Sequence, residues 1–121
     1  MSDLKRDLIS EVTALEGYTY RLWAYQVSHS LLTVRATHPD RPKHNIHLAF
    51  ASVFYIQMPT AWRGDFGLAS ESETRAVAER AGLKLTETAP PLSLFKAESP
   101  YGVVYVLGVI YIVEHDVEPV Y

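Results

Sequence analysis

Residues Val103 to Glu114 leave this chain few ways to fold. Read as a strand, one face carries Val103, Tyr105, Leu107, Val109, Tyr111 and Val113, and the other carries Val104, Val106, Gly108, Ile110 and Ile112. An antiparallel sheet with one wet face would show alternation of apolar and polar residues. Here both faces want cover. Burying one Val or Ile side chain is worth roughly 1.5–3 kcal/mol, so a bare second face would forfeit several such contributions. Three arrangements supply the cover: a sheet curled into a half-barrel, a second copy or partner protein laid on the second face, or a ligand cavity between sheet and helices. Gly108 favours the curl, because a glycine inside a strand marks a bulge or sharp bend.

The rest of the chain supplies the sheet and two helices. Leu4, Leu8, Val12 and Leu15 recur at helical spacing, with Ile9 widening the stripe. Ser2 is the expected N-cap and Gly17 the stop, so a helix is expected over 3–16. Tyr18–Val27 and Leu31–Thr37 read as strands joined through Ser28-His29-Ser30. His38-Pro39-Asp40-Arg41-Pro42-Lys43 reads as a breaker. Ile46–Gln57 is a third strand with Ile46, Leu48, Phe50, Ser52, Phe54 and Ile56 on one face. Residues 59–69 form a loop anchored by Trp62 and Phe66, and a second helix begins at Ser70 with capping-box spacing to Glu73, Ser72 being the alternative cap, and ends at Gly82. Lys84–Pro91 connects to a fourth strand, Leu92–Glu98, and an acidic tail follows the last strand. The order is α-β-β-β-α-β-β. The expected fold is a single α+β domain over 1–121, a mainly antiparallel curved sheet with two helices packed on it. The third strand, second helix and fourth strand form the one segment with room for a parallel crossover.

Composition removes several function classes. The chain has 121 residues, enough to bury a core without a disulfide or metal. It has no cysteine, which excludes thiolate chemistry and thiolate metal sites and fits a reducing compartment. The first residues, with Asp3, Lys5, Arg6 and Asp7, show no export signal, and the apolar run of 101–113 is too short to span a membrane as a helix. A cytoplasmic location is the expectation. Net charge is −3, and Arg35, Arg41 and Lys43 are the only basic cluster, which argues against nucleic-acid binding.

No motif places a nucleophile beside a base. His38, His44 and His47, with Asp40 between them, are the right residue types for a transition metal. Their spacing is poor, because His44 and His47 point to opposite faces if both lie in a strand; loop histidines are the simpler reading. His29, in the turn, and His115, beside Asp116, are the other histidines that a carboxylate could turn into a base. Arg63-Gly64-Asp65 spells a cell-adhesion tripeptide and Asp65-Phe66-Gly67 a kinase metal-binding triplet. Neither has its required context, and a turn with a local Arg63–Asp65 contact is expected. Glu71 and Arg75 have the favourable i,i+4 spacing of a solvated helix face.

The aromatic residues are the most suggestive group, since Tyr and Trp combine apolar area with a polar handle at interfaces. The candidate binding residues are Trp62, Arg63, Asp65 and Phe66 in the long loop, Trp23 and Tyr25 in the first strand, and Tyr105 and Tyr111 in the last. The resulting expectation is a small, non-enzymatic, bacterial-type interaction protein without a cofactor. It would self-associate as a homodimer or bind one protein partner through the apolar sheet face and the Trp62–Phe66 loop, and an immunity- or antitoxin-like role suits its acidic charge. The alternative is a small-molecule binder or enzyme with a cavity lined by Tyr105, Tyr111 and Phe50, with His47 or His115 as the polar group.

Overall fold

The computed structural model describes residues 3–83 and 92–117, with the side chains of 3–7, 42–44 and 116–117 outside that description. Helix α1 spans Asp3–Thr13 and strand β1 Thr19–Gln26; a 3-10 turn at Val27–His29 leads to β2, Leu31–His38. Strand β3 is Arg41–Gln57, and two short strands follow, β4 at Ala61–Arg63 and β5 at Gly67–Leu68. Helix α2 spans Glu71–Arg80, and β6, Ser93–Ser99, turns into β7, Gly102–Val117. The sheet order is β4-β1-β2-β3-β7-β6-β5, and every neighbouring pair is antiparallel. The fold is of α+β type: a mainly antiparallel, curved sheet with two helices.

Several expectations change in detail. The crossover after β3 does not make a parallel pair, because β7 is threaded between β3 and β6. The loop of 59–69 contains two strands, and these lie at opposite ends of the sheet order. Pro42 lies within β3 rather than in a breaker, because His38 pairs with Arg41 in a tight turn. Helix α1 ends at Thr13, before Leu15, and Gly17 takes the left-handed φ of 74° in the loop to β1. The expected Ser2 cap, the 84–91 connector and the tail beyond Val117 lie outside the described residues. Helix α2 starts as expected: the Ser70 hydroxyl accepts from the Glu73 N–H at 3.2 Å.

Curvature answers the problem posed by the last strand. On the inner side, Val104, Val106 and Ile110 of β7 join Leu32, Val34, Ile46, Leu48 and Phe50 in the core. The core is rich in rings: Phe50 meets Phe95 and Phe66 edge-to-face, and Tyr20 stacks on Trp62 with centroids 5.5 Å apart. Helix α1 presents Val12 to this core, flanked by Leu8 and Ile9. On the outer side, α2 places Val77 and Ala78 against Leu107 and Leu94.

Three register shifts fit β3 to β7, at Asn45/His47, Ala49/Phe50 and Ala51/Tyr55. Ala51 pairs with Val109 and Tyr55 with Leu107, so Ser52, Val53 and Phe54 oppose Gly108 alone. Ser52 takes a φ of 48°, Val53 turns inward, and Phe54 turns out, which breaks the face expected of Ser52, Phe54 and Ile56. A Cβ on Gly108 would meet the Ala51 carbonyl and the Val53 side chain at 3.1 Å, so this position keeps the bulge seated. A second shift lies between Ala49–Ile112 and Phe50–Ile110. Beyond it the faces exchange: Val113 packs on the core, and Ile112 turns outward.

Residues 61–68 form a strap. β4 hydrogen-bonds to β1 and β5 to β6, so the segment ties the two edges of the half-barrel. At Gly64 the strap meets β6 so closely that a Cβ would lie 2.0 Å from the Glu98 carbonyl oxygen, and φ is 143°. Gly64→Ala is therefore expected to cost about 2 kcal/mol or more. Gly67→Ala, where a Cβ meets nothing within 4 Å, is expected to change stability by less than about 0.5 kcal/mol. Urea denaturation of the two variants checks the contrast.

Candidate functional site

The strap accounts for half of the expected binding residues, and it uses most of them internally. Trp62 and Phe66 are each only 2% exposed and fill the mouth of the core. The Trp62 indole N–H donates to the Gly64 carbonyl at 3.1 Å. Two aromatic anchors in a glycine-containing loop thus became interior residues, because the loop crosses the open edge of the half-barrel. Asp65 does not turn towards Arg63. Its carboxylate accepts from the Gly17 N–H at 2.8 Å, the Tyr18 N–H at 3.3 Å and the Tyr20 hydroxyl at 2.8 Å. Burial, followed by Asp65, pushes the Tyr20 hydroxyl far above the ordinary phenol range. Arg63 remains exposed on β4. A depression of about 370 Å3 beside Asp65 is bordered by Gly67, Leu68, Lys96, Ala97 and Glu98, but Lys96 reaches away to Glu73.

Tyr105 and Phe50 cannot line one cavity, because they lie on opposite faces of the sheet. Tyr105 holds α2 in place. Its hydroxyl donates to Glu73 at 2.9 Å, and Lys96 approaches the same carboxylate at 2.9 Å. The Lys96 bond, then the Tyr105 bond, holds the Glu73 carboxyl below its usual range, and Glu73 in turn pushes the Tyr105 phenol up.

The remaining polar chemistry lies on the outer face of β1, β2, β3 and the end of β7. Strand register puts Arg21, Arg35, His47 and Glu114 in one row across these four strands. Arg35 is only 8% exposed. Its cover is Trp23. A shift in β1 between Leu22 and Ala24 puts Trp23 over Arg35, with the guanidinium carbon 3.8 Å from the ring centroid. Arg35 Nε–H donates to His47 Nε2 at 3.0 Å, and the His47 ring lies 5.6 Å from that of Trp23. Next along the sheet, Ala49 and Ile112 pair, with Ile112 45% and Tyr111 59% exposed. Tyr25 is also exposed, beside the outward-turned Phe54 in a shallow depression. The eight expected binding residues therefore do not form one patch. Trp23 and Tyr111 go to the outer face, where they join Arg21, Arg35, Ile112 and Glu114, which the sequence reading had not nominated.

The histidines take separate partners. His38 Nδ1 accepts from the Asp40 N–H at 3.1 Å, and its ring meets Tyr18 edge-on. His47 faces Arg35, and the His44 side chain lies outside the described residues. Among the described residues no group of three or more His, Cys, Asp or Glu side chains is placed to hold a metal ion. His115 approaches Glu11 of α1 at 3.9 Å, and His29 is exposed in the 3-10 turn. Among the described residues no helix is long and apolar enough to cross a membrane. No protein-family model, curated protein or solved structure matches the chain.

The Arg35 bond fixes the protonation state of His47. Nε2 accepts, so the neutral ring carries its proton on Nδ1. Burial and then Arg35 hold the His47 pKa below its ordinary 6.5, against an opposing pull from Glu114. A depressed histidine pKa means that the unfolded chain binds the proton more readily than the folded one. The stability linked to His47 is therefore complete above about pH 6.5, and it is lost as pH falls from there through the folded value. In His47→Gln the amide oxygen can still accept from Arg35 and does not titrate. Urea denaturation at neutral and mildly acidic pH is expected to show a smaller acid loss in His47→Gln than in the wild type.

Proposed function

We propose that the protein is a non-enzymatic protein-binding domain whose contact surface is the outer face of β1, β2, β3 and the end of β7. The observation that carries this reading is the state of Ile112 and Tyr111. Helix α2 covers the outer side of β7 at Leu107. Beyond it, the strand keeps its apolar character, and these two side chains stand open. A sheet face that keeps an isoleucine and a tyrosine in water, with no helix over them among the described residues, suits a surface that another protein covers. Trp23, with its ring already ordered by Arg35, adds a rigid aromatic of the kind that anchors interfaces. The cysteine-free composition suits a reducing, cytoplasmic setting.

A photo-crosslinking residue at position 112 tests the surface in living cells. The expected outcome is a discrete protein adduct that disappears when Ala49, its register neighbour, is replaced by Asp. The same residue at Glu79, on the exposed side of α2, is expected to give none. Absence of any adduct at 112, or one indifferent to Ala49→Asp, would remove this surface from consideration.

A further inference from the structure

We infer that the occupant of this face is a second copy of the chain, laid face to face about a two-fold axis that runs along the strands between β2 and β3. This rests on the protein-binding reading above and adds the identity of the partner.

The order of charge in the row selects that arrangement. From β1 to β7 the row reads Arg21, Arg35, His47, Glu114, with the cations at one end and the carboxylate at the other. Adjacent strands are about 4.8 Å apart, so the outer residues are separated by roughly 14 Å. A two-fold axis along the strands at the middle of this row reverses its order on the opposing copy. Arg21 of each copy then faces Glu114 of the other, twice over, while Arg35 and His47 stay paired within each copy beneath Trp23. An axis across the strands would instead set Arg21 on Arg21 and Glu114 on Glu114. Only the first is electrostatically self-complementary, as a closed two-fold interface requires. In the neighbouring row, Ala24-Thr33-Ala49-Ile112, the same axis sets Ile112 of each copy over Ala24 of the other and Ala49 over Thr33. Arg21 and Glu114 are both exposed and available for this exchange.

The pairs are solvent-accessible, so the predicted dimer is salt-sensitive. Sedimentation velocity over a concentration series at low salt is expected to show a monomer–dimer equilibrium that shifts towards monomer as salt rises. Arg21→Glu and Glu114→Arg should each raise the dimer dissociation constant by about tenfold or more, since each creates two like-charge contacts. The double variant should dimerise again to within about threefold of the wild type. Mixing the two single variants should also restore dimer, because every facing pair is then opposite in sign, and that mixture shows both variants to be folded. A strict monomer at low salt, a dimer indifferent to both reversals, or mixtures that stay monomeric would overturn the inference. Position 112 separates this failure from that of the broader reading. An adduct to a different protein there refutes the second copy but keeps a protein-binding surface, and no adduct at all refutes both.

Discussion

A strand that is apolar on both sides cannot rest on a flat sheet with one face in water, and the fold follows from how each side of β7 is shielded. The inner side is covered by curvature, which brings the rings of Phe50, Phe66 and Phe95 within 5.1–6.4 Å of one another. Curvature needs backbone that can depart from a regular ladder. Gly108 supplies it by leaving room for the Ser52–Phe54 bulge of β3. Among the described residues, the outer side is shielded by α2 around Leu107. The two halves of β7 therefore have different surroundings: Leu107 is sealed, and Ile112 is left in the open.

Closure is the second consequence. A curled sheet still has two edges, and exposed edges invite unwanted pairing. Here one continuous segment, Ala61–Leu68, pairs with both β1 and β6. Asp65 adds side-chain bonds from the same segment to Gly17, Tyr18 and Tyr20, so the entry to β1 is tied to the closure point. A tripeptide that looks like a recognition motif thus acts as a clasp. Gly64 is required by its contact with β6, and Asp65 is committed to inward bonds.

The elements that local chemistry dictates were legible. The Ser70 cap, the period of α1, the antiparallel curved sheet and the role of Gly108 follow from propensity and pattern. Long-range consequences were not. Nothing local distinguishes Trp62 and Phe66 as core residues from interface anchors; only the return of the strap across the sheet decides it. The bulge at Ser52 places a serine at positive φ, against the residue's preference, so no turn signal marks it. The row of Arg21, Arg35, His47 and Glu114 is spread over 94 residues numbered 21–114 and exists only once four strands are in register. His47 was noticed as a metal-type residue, but its partner is an arginine on the neighbouring strand.

The strap and α1 complete the inner core by supplying Trp62, Phe66 and Val12. Native-state hydrogen exchange of the Gly17 and Tyr18 amides tests that dependence most directly, since both donate to Asp65. If the strap closes the half-barrel as one cooperative unit with the sheet, these two amides exchange as slowly as those of Val104 and Val106 in β7, through global unfolding. If they exchange at the rate of an open loop while the β7 amides stay protected, the clasp does not hold the fold, and the core is complete without it.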